Sequence, residues 1–149
     1  MARDENAREP VVIATDGSES AEQAVVAGAR VASALGTKVV LVYVRPSIGA
    51  LGEPYYQEKL TEQMAHARDA LDRARRILDE QGVDVDEEVL EGEAPEQIVE
   101  LAKTRDAQVI VVGSRGLGAV KGALLGSVSS GVIHRADRPV LVVPKQHGT

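Results

Sequence analysis

The segment VVGSRGLGAVKGALLGSVSSGVI, Val111 to Ile133, holds six glycines in 23 residues, directly after a β-branched run. Glycine weakens helix and strand alike, so this density fits a backbone that must turn sharply or approach something closely. The segment closes on Gly126, Ser127, Val128, Ser129 and Ser130. A helix starting there would offer unpaired N–H groups at the positive end of its dipole, and the preceding glycines would let the main chain wrap an anion. Hydroxyls at Ser127 and Ser129 can donate to phosphate oxygens or ligate a divalent cation. The chemistry this spacing supports is a phosphate cradle. Caps alone need one serine, and turns alone need one or two glycines.

Two common phosphate motifs fail. A Walker A loop needs G-x-x-x-x-G-K-[ST], which no window satisfies, and G-x-G-x-x-G starting at Gly116 would need glycine where Lys121 stands. The pattern present is Gly113-x-x-Gly116, nine residues, then Gly126-Ser127. A second distinctive stretch, ATDGSES, places Asp16, Gly17 and Ser18 straight after the first apolar run.

The elements that must position these residues alternate. PVVIATD (10–16), TKVVLVYV (37–44), AQVIVVG (107–113) and RPVLVVP (138–144) are nearly continuous in Val, Ile and Leu, as in strands covered on both faces. VDVDEEVLEG (83–92) alternates and is acidic, which places it at a sheet edge. Helices are expected over 20–35, with Ser20 and Gln23 as a capping box and Gly36 as its stop, and over 58–81. The second carries a stripe of Leu60, Met64, Ala67, Leu71, Ala74 and Leu78 that reads as core. Pro95 opens a third through Lys103, and Ser127 to Arg135 supplies the fourth. The order β-α-β-α-β-α-β-α-β predicts a doubly wound, five-stranded parallel sheet with helices on both faces. Ligands of such sheets bind beyond the strands' carboxyl ends where strand order reverses, so Asp16 is expected to face the glycine-rich loop across one crevice.

Composition narrows the function. The 149 residues suit one domain, with residues 1–9 and 145–149 expected as flexible tails. There is no Phe and no Trp, and three Tyr are the whole aromatic set, so no stacking platform for single-stranded nucleic acid exists. Zero cysteines remove disulfides, thiolate metal sites and thiol nucleophiles. The charged N-terminus lacks the apolar region of a secretion signal and no stretch approaches a membrane span, so a cytoplasmic location is expected. The net charge of -6 hides an asymmetry: residues 1–100 carry 10 basic and 21 acidic side chains, and 101–149 carry 7 and 2. A locally positive site on an acidic chain suits a small polyanion better than duplex DNA.

The G-x2-G-x9-G-[ST] spacing resembles the ATP-binding branch of the universal stress protein family. The resemblance extends over VVIATDGSESAEQAV, VVLVYV, GEAPEQIVELA, VIVVGSRG and GSVSSGVIHRADRPVLVVP. It implies a flavodoxin-like or Rossmann-like layering and ATP held with Mg2+ or Mn2+ at the ends of the first and fourth strands. By matching positions, Asp16 would contact adenine or ribose, and the Val44 backbone the adenine edge. Gly113 and Gly116 would lie against ribose and phosphates. Gly126, Ser127, Val128 and Ser129 would hold the triphosphate and its metal, with Ser127 as a metal ligand, and Arg115 is a candidate phosphate contact. Tyr43 stands where many relatives have His. The resemblance further implies a homodimer paired through Val140 to Val143 and an as yet unnamed regulatory protein partner. His66, His134 and His147 pair with no carboxylate in sequence and are given no role. Phosphoryl transfer needs a water-positioning group and cationic stabilisation, for which Asp16, Arg115 and Lys121 are the candidates, so a nucleotide-dependent regulator is favoured over a slow ATPase or phosphotransferase using the same pocket.

Overall fold

The computed structural model describes residues 9–115 and 125–145. Five parallel strands, β1 (Val11–Ala14), β2 (Val39–Arg45), β3 (Val85–Glu91), β4 (Val109–Gly113) and β5 (Val140–Val143), form one sheet in the order β3-β2-β1-β4-β5. Four helices connect them: α1 (Glu19–Leu35), α2 (Tyr55–Glu80), α3 (Ala94–Thr104) and α4 (Ser127–Arg135). The layering is as expected, and the strand order is the Rossmann-type one, with β1 central, rather than the flavodoxin order 2-1-3-4-5.

Strand alternation divides the core. Val11, Ile13, Val39, Leu41, Tyr43 and Val111 pack under α1 and α2. Val12, Val40, Val42, Ile110 and Val112 pack under α3 and α4. With both faces covered, neither parity tolerates polar side chains, which is why the central strands are continuous in Val and Ile. Each such side chain buried contributes roughly 1.5–3 kcal/mol. At the sheet's edge, β3 is only partly buried, and its acidic side chains pair with basic ones from both layers: Glu87 with Arg68 and Arg75 of α2, Asp86 with Lys38, and Glu88 with Arg105.

Two local expectations change. The cap of α1 is Ser18, not Ser20: Ser18 is extended (φ -70, ψ 160), and its Oγ accepts the Ala21 N–H at 3.2 Å. Ser20 instead lies within the first turn, buried against the end of β4. The α2 stripe is core only from Ala67 onward, and Met64 is 42% exposed. The cause is length. A 26-residue helix spans about 39 Å at ~1.5 Å per residue, more than strands of 4 to 7 residues can cover. Because α2 follows β2, its first turns overhang the carboxyl edge of the sheet.

Most of the expected tails, residues 1–8 and 146–149, lies outside the described residues. Glu9 is no free tail. Its carbonyl accepts from Thr37 Oγ1 at 2.8 Å and Gln108 Nε2 at 2.7 Å, anchoring the chain before β1.

Candidate functional site

The strand order reverses between β1 and β4. The chain leaves β1 for α1 on one face and leaves β4 for α4 on the other, so the two loops diverge and open a crevice at the carboxyl edge. Asp16 stands on one side of it, two residues beyond β1, and Gly113 ends the strand on the other.

The turn after β1 is built from local bonds. Gly17 N–H donates to Thr15 Oγ1 at 3.2 Å, and Ser18 N–H donates to Asp16 Oδ1 at 2.9 Å. Gly17 sits at φ +84, the left-handed region where a Cβ is strained. Thr15 N–H still reaches the Val42 carbonyl at 2.9 Å, which keeps the turn in register with β2.

Val44 follows from ladder parity. In a parallel ladder a residue's N–H and C=O point to the same neighbour, and successive residues alternate. The Lys38 and Val42 carbonyls accept from β1 and its extension, whereas Arg45 C=O accepts from Gly92 beside β3. Val44 therefore turns its backbone groups toward the β1 side, past the end of β1 at Ala14 and level with Asp16.

On the opposite side, the start of α4 is fastened to β4 through one carbonyl. Ser114 C=O accepts Gly126 N–H at 2.6 Å and the Ser129 hydroxyl at 3.0 Å. Ser129 is 1% exposed, and its Oγ also lies 3.1 Å from Gly126 C=O. A hydroxyl has one proton, so Ser129 spends it on the main chain. Any donation from Ser129 to an anion comes from its backbone N–H, which corrects the expectation that both serine hydroxyls face phosphate. Ser127 is exposed, and its hydroxyl remains the candidate for a metal or phosphate oxygen. Gly126 caps α4 without any side-chain bond, and no acidic residue occupies the first turn. The first intrahelical bond is Ser130 N–H to Gly126 C=O, so the N–H groups of Ser127, Val128 and Ser129 form the positive helix end that suits a phosphate.

Gly113 has a packing reason of its own. A Cβ there would lie 2.6 Å from Ser20 Oγ and 2.8 Å from Ser20 O, because α1 crosses β4 at backbone distance. Ser20 Oγ in turn accepts the Arg115 N–H at 3.3 Å and so steers the chain into the glycine-rich loop. Gly116 lies outside the described residues, as does Lys121.

Several residues left aside by sequence reasoning surround the Asp16 turn. His66 Nε2 is 3.2 Å from Asp16 O, and Arg73 Nη2 donates to Gly17 O at 3.1 Å. Tyr43 meets the His66 ring edge-on at 5.7 Å. Burial, and then the Asp16 charge, raise the Tyr43 pKa, so the phenol stays neutral near pH 7. His66 escapes a search for His–carboxylate pairs because its partner is a carbonyl. No signal in the sequence singled out His66 or Arg73. Among the described residues, no group of three His, Asp or Glu side chains is arranged to hold a metal by itself, so a cation here would need ligand oxygens besides the protein's.

Fold and crevice together define a Rossmann-like α/β protein with a helix N-terminus at its topological switch point. The chain belongs to the universal stress protein family, whose profile matches residues 7–144. It is 35% identical over 147 residues to Universal stress protein MJ0531 of Methanocaldococcus jannaschii, covering 95% of this chain and 85% of that one. A Thermus aquaticus universal stress protein is 34% identical over 135 residues, covering 89% and 96%. Among solved structures, the protein MJ0577 superposes with a TM-score of 0.81 at 26% identity, over 94% of this chain and 98% of that one. A universal stress protein from Archaeoglobus fulgidus in complex with dAMP superposes at 0.74 with 28% identity, over 92% and 98%. A further universal stress protein structure, in complex with cAMP, superposes at 0.70 with 30% identity, over 94% of this chain and 99% of that one.

Proposed function

We propose that this chain, read as a single domain over residues 1–149, binds ATP with Mg2+ or Mn2+ in the β1/β4 crevice and acts as a nucleotide-dependent regulator of a stress response. The observation that carries the reading is the start of α4, fastened to Ser114 and presenting the N–H groups of Ser127, Val128 and Ser129 across the switch point from Asp16. Nucleotides in two relatives, dAMP and cAMP, support it.

In this reading Asp16 and the Val44 backbone take adenosine, and Gly113 and Gly116 allow close approach to ribose and phosphates. Gly126 to Ser129 hold the triphosphate, and Arg115 adds a cation. The Ser127 hydroxyl would complete the metal's shell, with the metal supplying charge neutralisation between the phosphates. Occupancy would change shape, dimer state or affinity for a regulatory protein, at most with slow hydrolysis. The dimer would pair through β5, whose Val140 to Val143 form an open sheet edge in the single chain. Among the described residues no helix is long and apolar enough to cross a membrane, and a cytoplasmic site of action fits this reading.

Denaturing the purified protein and identifying released nucleotide by chromatography tests the reading. An adenine nucleotide near one per chain supports it. Its absence, together with failure of the stripped protein to take up Mg-ATP, would overturn it.

A further inference from the structure

One face of α2 holds two consecutive carbonyls of the β1–α1 turn. His66 Nε2 lies 3.2 Å from the carbonyl of Asp16, and Arg73 Nη2 lies 3.1 Å from the carbonyl of Gly17. A carbonyl oxygen only accepts, so His66 Nε2 must carry a proton, a condition met by the Nε2–H tautomer and the imidazolium alike. Residues seven apart drift by only ~20° around an α-helix, so both side chains leave α2 on the same side.

Each is itself held. Arg73 reaches Glu22 of α1 at 3.0 Å and Asp69, one turn back on α2, at 3.3 Å. The Tyr43 ring of β2 stands against the imidazole. Arg73 Nε is buried with no hydrogen-bond partner among the described residues, so the guanidinium is held through its terminal nitrogens alone. The turn lies directly against the helix, since a Cβ on Gly17 would sit 3.0 Å from Arg73 Nη2 and 3.2 Å from Ala70 Cβ. Its internal bonds, Gly17 N–H to Thr15 Oγ1 and Ser18 N–H to Asp16 Oδ1, span only two residues each, and α2 adds bonds to both carbonyls from outside the turn.

We propose, resting on the nucleotide reading above, that His66 and Arg73 are positioning residues for nucleotide binding: they clamp the Asp16 and Gly17 carbonyls and so present the Asp16 carboxylate in one orientation. Neither touches the nucleotide.

The test has two arms on the full chain. Calorimetric titration with Mg-ATP compares wild type with His66→Leu, His66→Gln, Arg73→Met and Arg73→Lys. Amide exchange at Gly17 and Ser18 is followed by NMR in the nucleotide-free proteins. His66 is exposed, so its variants fold, and Gln places an amide N–H near the position of Nε2. The clamp predicts that His66→Leu and Arg73→Met each weaken binding about tenfold, the effect of losing one well-placed hydrogen bond. Gln at 66 recovers most of the affinity, Lys at 73 recovers part, and exchange quickens at Gly17 and Ser18 but not in β2. Wild-type affinity in both His66→Leu and Arg73→Met, or equal losses in His66→Gln and His66→Leu, would overturn the proposal. If the wild type itself binds no Mg-ATP, the nucleotide reading and the affinity role fall together. Exchange then decides the clamp alone, and unchanged rates at Gly17 and Ser18 would remove that too.

Discussion

The Ser129 hydroxyl donates to the Ser114 carbonyl 3.0 Å away and ties the first turn of α4 to the end of β4. On the proposed reading, two serines of one motif do different work. Ser129→Ala should cost about 1 kcal/mol of stability, since the Ser114 carbonyl loses one of the two bonds it accepts among the described residues, and should also weaken nucleotide binding. Ser127→Ala, at an exposed position, should leave stability within about 0.5 kcal/mol and weaken only binding in the presence of Mg2+. Urea denaturation and titration with and without Mg2+ check both. Equal stability losses in the two variants would contradict the division.

Gly113→Ala places a methyl group 2.6 Å from Ser20 Oγ and 2.8 Å from the Ser20 carbonyl oxygen. The second of these neighbours is backbone, so α1 must shift. A loss of about 1–3 kcal/mol is expected, as for overpacking in a well-filled core. The same variant carrying Ser20→Ala should recover little, because the clash with the main chain remains. Full recovery in a urea denaturation series would show that the Ser20 hydroxyl alone demands glycine here.

Edge strand β3 makes a pH prediction. Burial raises the pKa of Glu87, but hydrogen bonds and charge from Arg68 and Arg75 outweigh it and leave the carboxyl below its ordinary value. A depressed folded-state pKa gives stability that is full above the unfolded value, about 4.3, and is lost as pH falls through the folded one. Glu87→Gln should therefore cost about 0.5–1 kcal/mol at pH 7, modest because both arginines are half exposed. The gap from wild type should close toward pH 3. A gap that persists there would assign the effect to packing rather than charge.

At the opposite edge, Leu141 of β5 is 37% exposed in the single chain. If β5 pairs with its copy, Leu141→Lys should convert a dimer to a monomer, read by light scattering after gel filtration, with the helical signal unchanged. A wild type that is already monomeric would remove β5 as an interface.

Elements were legible in the sequence wherever one physical signal dominated. The Val-rich runs marked the central strands because parallel strands are covered on both faces, and the acidic alternation of 83–92 marked an edge. Gly36 marked the end of α1, and in the structure it takes the left-handed conformation of a helix stop. One boundary failed at Ser20, read as the cap of α1: the cap is Ser18, and only packing against β4 shows that Ser20 is buried. The glycine spacing marked a candidate phosphate loop, of which residues 116–124 lie outside the described residues. The roles of Ser114, His66 and Arg73 were not legible: the Ser114 carbonyl accepts from the start of α4, His66 and Arg73 donate to carbonyls of the β1–α1 turn, and a carbonyl has no letter in the sequence.

The most direct measurement of the central claim is a calorimetric titration of nucleotide-free protein with Mg-ATP, repeated on Gly126→Val. The account predicts saturable binding near one nucleotide per chain in the wild type and none in the variant, with both equally folded by circular dichroism. No heat from the wild type, or wild-type affinity in Gly126→Val, would contradict it.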